Sequence, residues 1–233
     1  MSNRLNVAPN DLSAFWMPFT ANRQFKQSPR MLVSAKDMHY TASDGRKILD
    51  GTAGLWCVNA GHCRPKITEA IQRQAATLMH VSNLYGSPQG EALAQRLVEL
   101  TFADTVFVTN SGTEAAELAI KMVRKYWHSK GQPGRFEILT FEGAFHGRST
   151  GAIAAAGSEK MTAGYGPLMP GFRVLPWGDM EALEAAMSDS TAAVMLEPVA
   201  SVHLYILTPE LPEVSGCASM PMSIRTSSKF MPG

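Results

Sequence analysis

The feature that most restricts the fold is a strand, a tight turn and a helix in immediate succession. Thr105-Val106-Phe107-Val108-Thr109 is a short β-branched run, the composition that suits a pleated, half-buried surface. Asn110-Ser111-Gly112 breaks it, and from Thr113 to about Trp127 apolar residues recur with helical spacing. Further apolar runs, Phe136 to Phe141 and Ala192 to Leu196, flank a Gly-rich connection and the helix-like Met180 to Met187. Strands alternating with helices predict a parallel α/β sheet.

Ahead of this unit, the turn residues Ser43-Asp44-Gly45 divide residues 37 to 51 into two segments of strand character, which predicts a β-hairpin. Ile67, Ile71, Ala75 and Leu78 predict a helix starting at Pro65, and Leu93, Leu97 and Leu100 a second one. From Ala200 the pattern stops: the last 34 residues hold four prolines and six serines with no sustained period, and are expected to form a poorly ordered tail.

Composition excludes several classes of function. With 45% apolar and 18% charged residues the 233-residue chain has the material for a substantial core. A net charge of +1 offers no field for nucleic acid, and no apolar stretch is long enough to span a bilayer. The N-terminus lacks the apolar core and cleavage site of a secretory signal, so a soluble cytoplasmic protein is expected. Cys57, Cys63 and Cys217 form neither an even framework nor a CxxC pair and are expected to be reduced, mostly buried thiols; no metal site is predicted.

Asn110-Ser111-Gly112-Thr113 falls where a strand passes into a helix N-terminus, where unpaired amides and the helix dipole favour an anion. Gly112 permits close approach of a phosphate, and the hydroxyls of Ser111 and Thr113 can donate to it. The same residues also suit a plain helix cap, with Ser111 or Asn110 accepting from the helix's own amides. Both uses are open on these residues alone. A nucleotide-binding α/β protein is a weaker alternative, since there is neither a GxxxxGK[ST] loop nor a GxGxxG motif.

Residues 108 to 115, VTNSGTEA, resemble the phosphate-cup motif of the class III aminotransferases, and Phe145-His146-Gly147-Arg148 follows at the family's distance. The resemblance runs from about Phe15 to Val199, through Asp44-Gly45-Arg46 with Asp50, Gly61-His62 with Pro65, and the strand ending Glu197-Pro198. Residues 15 to 78 are most similar to omega-amino-acid:pyruvate aminotransferases and 80 to 199 to acetylornithine aminotransferases, as in a mosaic. The resemblance implies pyridoxal phosphate as cofactor, an amino donor and a 2-oxo acid as substrates, and a homodimer. It implies a cofactor site at Ser111, Gly112, Thr113, Phe145, His146 and Glu197, with Phe145 stacked on the pyridine ring. For His146 alone, a side chain holding its own loop by hydrogen bonds is the expectation. Arg148 corresponds to a residue contacting the acidic end of the substrate, and Trp56 to a pocket wall; a surface cation and a core tryptophan are the plainer readings of those two.

The family's Schiff-base lysine and the aspartate that keeps the pyridine nitrogen protonated lie beyond the Glu-Pro strand. Here residues 197 to 204 read EPVASVHL, residues 200 to 233 contain no aspartate, and Lys229, the only lysine after Lys160, comes too soon and in an unsuitable setting. No catalytic residue is therefore assigned, and inactivity is expected. A shifted or truncated reading frame would produce such a switch at Ala200, which reading the DNA through that codon in three frames would reveal. The fold implied is α/β: an incomplete fold-type I aminotransferase large domain at 61 to 199, preceded by an N-terminal helix and hairpin segment at 1 to 60 and followed by a non-family tail at 200 to 233. Sheet strands encoded later in the family are expected to be missing here, leaving unpaired edges and exposed apolar faces.

Overall fold

The computed structural model describes residues 12 and 14–197; Cys217, Lys229 and the expected tail lie outside the described residues. The chain divides into two compact units, residues 1–85 and 86–233.

The first unit is built on a three-stranded antiparallel meander of β1 (Leu32–Lys36), β2 (His39–Ala42) and β3 (Lys47–Leu49), preceded by helix α1 (Asn22–Gln27). The expected hairpin is β2 and β3, in the register Tyr40 opposite Ile48. Its turn is set by Gly45 at φ 88, which a residue with a Cβ adopts only at a cost, and by Asp44, whose carboxylate accepts from the Arg46 amide and guanidinium at 3.1 and 2.7 Å. The Gly61-His62 turn is bonded to the β1–β2 connection through Asp37, with Asp37 N–H to His62 O at 2.9 Å and His62 N–H to Asp37 O at 2.7 Å.

Between hairpin and turn lies α2 (Ala53–Trp56), a single turn in which Ala53, Gly54, Leu55 and Trp56 all have positive φ, at 50, 61, 59 and 64°. For each of the three residues with a Cβ, left-handed backbone costs about 1–2 kcal/mol. Cys57 and Cys63 are exposed, not buried as expected: among the described residues of this unit only Phe25, Ala42 and Asp50 are buried, too few to form a core that would cover the cysteines. Helix α3 (Pro65–Thr77) follows, with proline at its first position, where the absent N–H is no loss.

The second unit opens with α4 (Pro88–Leu100), capped by Ser87, whose hydroxyl accepts from Gly90 N–H at 3.1 Å. Neither α3 nor α4 has a buried residue, and Ile67, Ile71, Leu78, Leu93, Leu97 and Leu100 are exposed. The expected strand at residues 105–109 is not formed; the segment joins no ladder. β-Branched residues supply propensity, but a strand also needs a partner for its amides and carbonyls, and no described strand runs beside this one.

Helix α5 (Gly112–Ser129) leads to a parallel sheet of β4 (Glu137–Phe141), β5 (Phe172–Leu175) and β6 (Thr191–Val194), in the order β5-β4-β6. Central β4 is buried from Ile138 to Phe141, on both faces as a central parallel strand is, and is apolar there except for Thr140. Full burial of Ile138 and Leu139 stabilises the unit by about 1.5–3 kcal/mol each. Leu139 packs in one cluster with Phe141, Leu175 and Ala186 of α8 (Met180–Ala186), and the Trp177 ring meets Phe141 edge-on at 5.4 Å. Helix α6 (Thr150–Ala155), buried from Gly151 to Ala155, packs on α5 and β5 and precedes the single-turn α7 (Glu159–Thr162). At its other end α5 is tied to β6: the Trp127 indole donates to Ala192 O at 2.9 Å, and Arg135 stacks 3.9 Å from the Trp127 ring centroid while donating to Thr191 O. No described helix is long and apolar enough to cross a membrane.

Candidate functional site

Ser111 is the N-cap of α5: its Oγ accepts from Glu114 N–H at 3.2 Å. Glu114 in turn reaches back to accept from Asn110 N–H at 2.7 Å, one residue displaced from the usual reciprocal box. The plain-cap use of Ser111 is thus realised, and it does not engage the first two helix amides. The amides of Gly112 and Thr113, the first two of the helix, have no partner among the described residues, and the Ser111 hydroxyl proton is not consumed by accepting. A Cβ placed on Gly112 would meet nothing within 4 Å beyond its chain neighbours and the helix's own backbone.

The second motif is folded onto the first. Gly147, buried and at φ 122, lies so close to Thr113 that a Cβ there would come within 3.0 Å of Thr113 Cα. Phe145 is 38% exposed, and the Arg148 guanidinium lies 5.5 Å from its ring centroid, within the range of a cation–π contact. The third element arrives from the end of β6: the Glu197 carboxylate accepts from Phe145 N–H at 3.0 Å across 52 residues of sequence. Residues 111–113, 145–148 and 197 are therefore brought together. Trp56, in the other unit, is 65% exposed.

His146 is 6% exposed, and its Nε2 has no partner among the described residues. The expectation that it secures its loop by hydrogen bonds fails at that atom; the Phe145 amide bonded to Glu197 does the securing. Burial pushes the His146 imidazole below its ordinary pKa, and the Glu197 charge opposes that only in part. As pH falls below about 6.5 the unfolded chain takes up this proton before the folded one. The stability contribution is thus fully present above that pH and is lost as pH falls toward the folded value. Thermal midpoints at pH 7.5 and 5.5 are expected to differ more in the native chain than in His146→Gln; an unchanged difference would count against the buried neutral imidazole.

Three neighbours escaped the sequence reading. Glu114 was legible as the fourth residue of Ser-x-x-Glu. Glu117, which accepts from the Ser149 hydroxyl and lies under Gly151, had no local signal, because the contact spans 32 residues. Gly147 as a packing requirement was hidden by its place inside a motif. Among the described residues no cluster of histidine, cysteine or acidic side chains could hold a metal.

A parallel sheet with flanking helices is part of the fold-type I aminotransferase architecture. The chain superposes on an (S)-enantioselective omega-transaminase from Thermomicrobium roseum with TM-score 0.76 and 34% identity, over 82% of this chain and 48% of that one. On the ornithine aminotransferase of Toxoplasma gondii it gives TM-score 0.70 and 26% identity, over 77% and 44%. The family model for aminotransferase class III matches residues 20–205. The chain is 55% identical over 176 residues to the acetylornithine aminotransferase of Rhodobacter capsulatus, covering 75% of this chain and 44% of that protein. With that of Methanocaldococcus jannaschii it shares 47% over 172 residues, 73% and 43%. The chain belongs to the class III aminotransferase family, whose members depend on pyridoxal phosphate. It spans less than half the length of the curated relatives it matches.

Proposed function

We propose that this chain supplies the phosphate-facing and ring-facing part of a pyridoxal phosphate site, in a cytoplasmic homodimer that moves an amino group from an N-acetylornithine-like or omega-amino donor to a 2-oxo acid. On this reading residues 61 to 199 are the cofactor-binding part of the large domain and 1 to 60 a small-domain and dimer segment. The observation that carries it is the convergence of residues 111–113, 145–148 and 197. When bound, the cofactor supplies an electron sink for the amino-bearing carbon.

The residues fit such a group. The free amides of Gly112 and Thr113, at the positive end of an 18-residue helix, favour a phosphate dianion, and the Ser111 and Thr113 hydroxyls add donors. Phe145 offers a flat apolar face to the ring, with its backbone fixed by Glu197. A neutral, buried His146 places no cation beneath that loop. Arg148 gives a planar fork for a substrate carboxylate. Trp56 enters as a pocket wall by resemblance alone.

A polypeptide of these 233 residues and nothing more offers no residue matching the family's lysine or pyridine aspartate, so on this reading it binds the cofactor reversibly and does not turn over. The exposed apolar faces of α3 and α4 favour one companion role, association with an intact relative. After incubation with pyridoxal phosphate and borohydride, label is expected to be weak and spread over several lysines, and transamination to stay at background. A stable adduct mapped to one lysine, with transamination that disappears on mutating it, would overturn the inactivity.

A further inference from the structure

The left-handed turn at α2 is unusual in what it holds. Its strained backbone presents Leu55 and Trp56, 66% and 65% exposed, so the strain is not offset by burying the side chains it carries. Backbone held in a sparsely populated region persists only where its surroundings over-determine it, and such places cluster at functional positions.

Here the surroundings are one carboxylate. Asp50, 8% exposed at the end of β3, accepts from Thr52 N–H at 3.1 Å and Thr52 Oγ1 at 3.2 Å through Oδ1, and from Gly54 N–H at 2.8 Å through Oδ2. Oδ2 also meets His62 Nε2 at 2.7 Å. His62 is itself placed by its backbone bonds to Asp37 and by the Tyr40 ring at 4.5 Å. One side chain thus fixes the residue before the turn, the glycine inside it and the histidine beyond it. The turn's own bonds, Trp56 N–H to Thr52 O at 3.0 Å and Cys57 N–H to Ala53 O at 2.9 Å, start from the residues so fixed. Gly54 leaves little slack: a Cβ there would lie 3.1 Å from Val58 Cγ2 and 3.4 Å from the Tyr40 hydroxyl.

We propose that Asp50 is a positioning residue for Trp56, its carboxylate holding the left-handed turn so that the indole stands as a fixed wall for the substrate side chain. The fixed-wall role rests on reading Trp56 as part of the substrate pocket; the positioning itself does not. Burial alone would raise the Asp50 carboxyl, but hydrogen bonds from His62, the Thr52 amide, Tyr40 and the Thr52 hydroxyl outweigh it and hold the group well below the usual carboxylate range. The clamp is therefore charged at any pH where the enzyme would work.

The test labels the whole chain with 5-fluorotryptophan and follows the four 19F resonances of Trp16, Trp56, Trp127 and Trp177, Trp56 being assigned with Trp56→Phe. In the native chain the Trp56 signal is expected to stand apart from its position in denaturant. In Asp50→Ala it collapses onto that position, while the Trp127 and Trp177 signals and amide protection in β2 stay unchanged. Asp50→Asn, which keeps one acceptor and the side-chain shape, should move the signal part of the way and serves if the alanine variant loses the hairpin. A Trp56 signal already at the denatured position in the native chain, or unmoved in both variants, would overturn the proposal. The readout needs neither cofactor nor turnover, so failure of the phosphate site leaves it unaffected.

Discussion

A fusion of residues 1–198 to an intact class III C-terminal half is expected to transaminate, with N-acetylornithine preferred over β-alanine despite the omega-type first 78 residues. The reasoning is local: phosphate, ring and carboxylate contacts are assigned to 111–113, 145 and 148, all within the stretch from 80 to 199. Arg148→Ala in that fusion removes a bidentate partner for a carboxylate. It should weaken that substrate by about 1.5–3 kcal/mol, the range for a hydrogen bond to a charged group, or roughly 10- to 150-fold in kcat/KM. Chimeras with C-terminal halves from both subfamilies, each assayed with both donors, separate the possibilities. If preference follows the C-terminal half alone, or if Arg148→Ala changes nothing, substrate choice does not reside in residues 80 to 199.

Gly147→Ala should damage stability and cofactor binding together. The position combines φ 122 with a Cβ that would strike the Thr113 side chain and approach its backbone to 3.0 Å, so the two motifs must separate or the helix start must shift. A strained backbone costs about 1–3 kcal/mol, and the steric conflict adds to it. Gly131→Ala is the control: that glycine also has positive φ, at 72°, but open space around it, so it should cost stability without touching cofactor affinity. Thermal midpoints and pyridoxal phosphate titrations of both variants decide the matter. Native-like affinity in Gly147→Ala would mean that contact between the motifs is not needed.

What was legible in the chain follows from the range of the forces involved. The hairpin at Asp44-Gly45-Arg46 and the helices from Pro65 and Gly112 are set by turn chemistry, capping and period, all contained in a few adjacent residues. Residues 105–109 looked like a strand for the same local reason, but strand pairing is a property of two segments, and no described neighbour is present. β5 was overlooked because Arg173 interrupts a four-residue run emerging from the Gly-rich connection, and only its pairing with β4, from Ile138 opposite Phe172 onward, makes it a strand. The turn at Ala53–Trp56 was out of reach altogether: alanine, leucine and tryptophan do not favour positive φ, and the carboxylate holding them there acts through a folded network. In the site, Ser111 to Thr113 and Phe145 to Arg148 could be named from motifs. Their mutual contact through Gly147 and Thr113, and the Glu197 bond to Phe145, belong to the tertiary structure.

The central claim, that the helix start at Gly112 and Thr113 is a seat for the cofactor's phosphate, is tested most directly by titrating pyridoxal phosphate into the chain and following its 31P resonance, beside the same titration of Gly112→Val. Because a Cβ on Gly112 would meet nothing within 4 Å beyond its chain neighbours and the helix's own backbone, valine there should leave the fold intact while placing a branched side chain beside the amides that the phosphate must approach. The account predicts a saturable shift in the native chain that disappears in Gly112→Val at an unchanged thermal midpoint. Equal saturable shifts in both proteins, or no shift in the native chain, would contradict it.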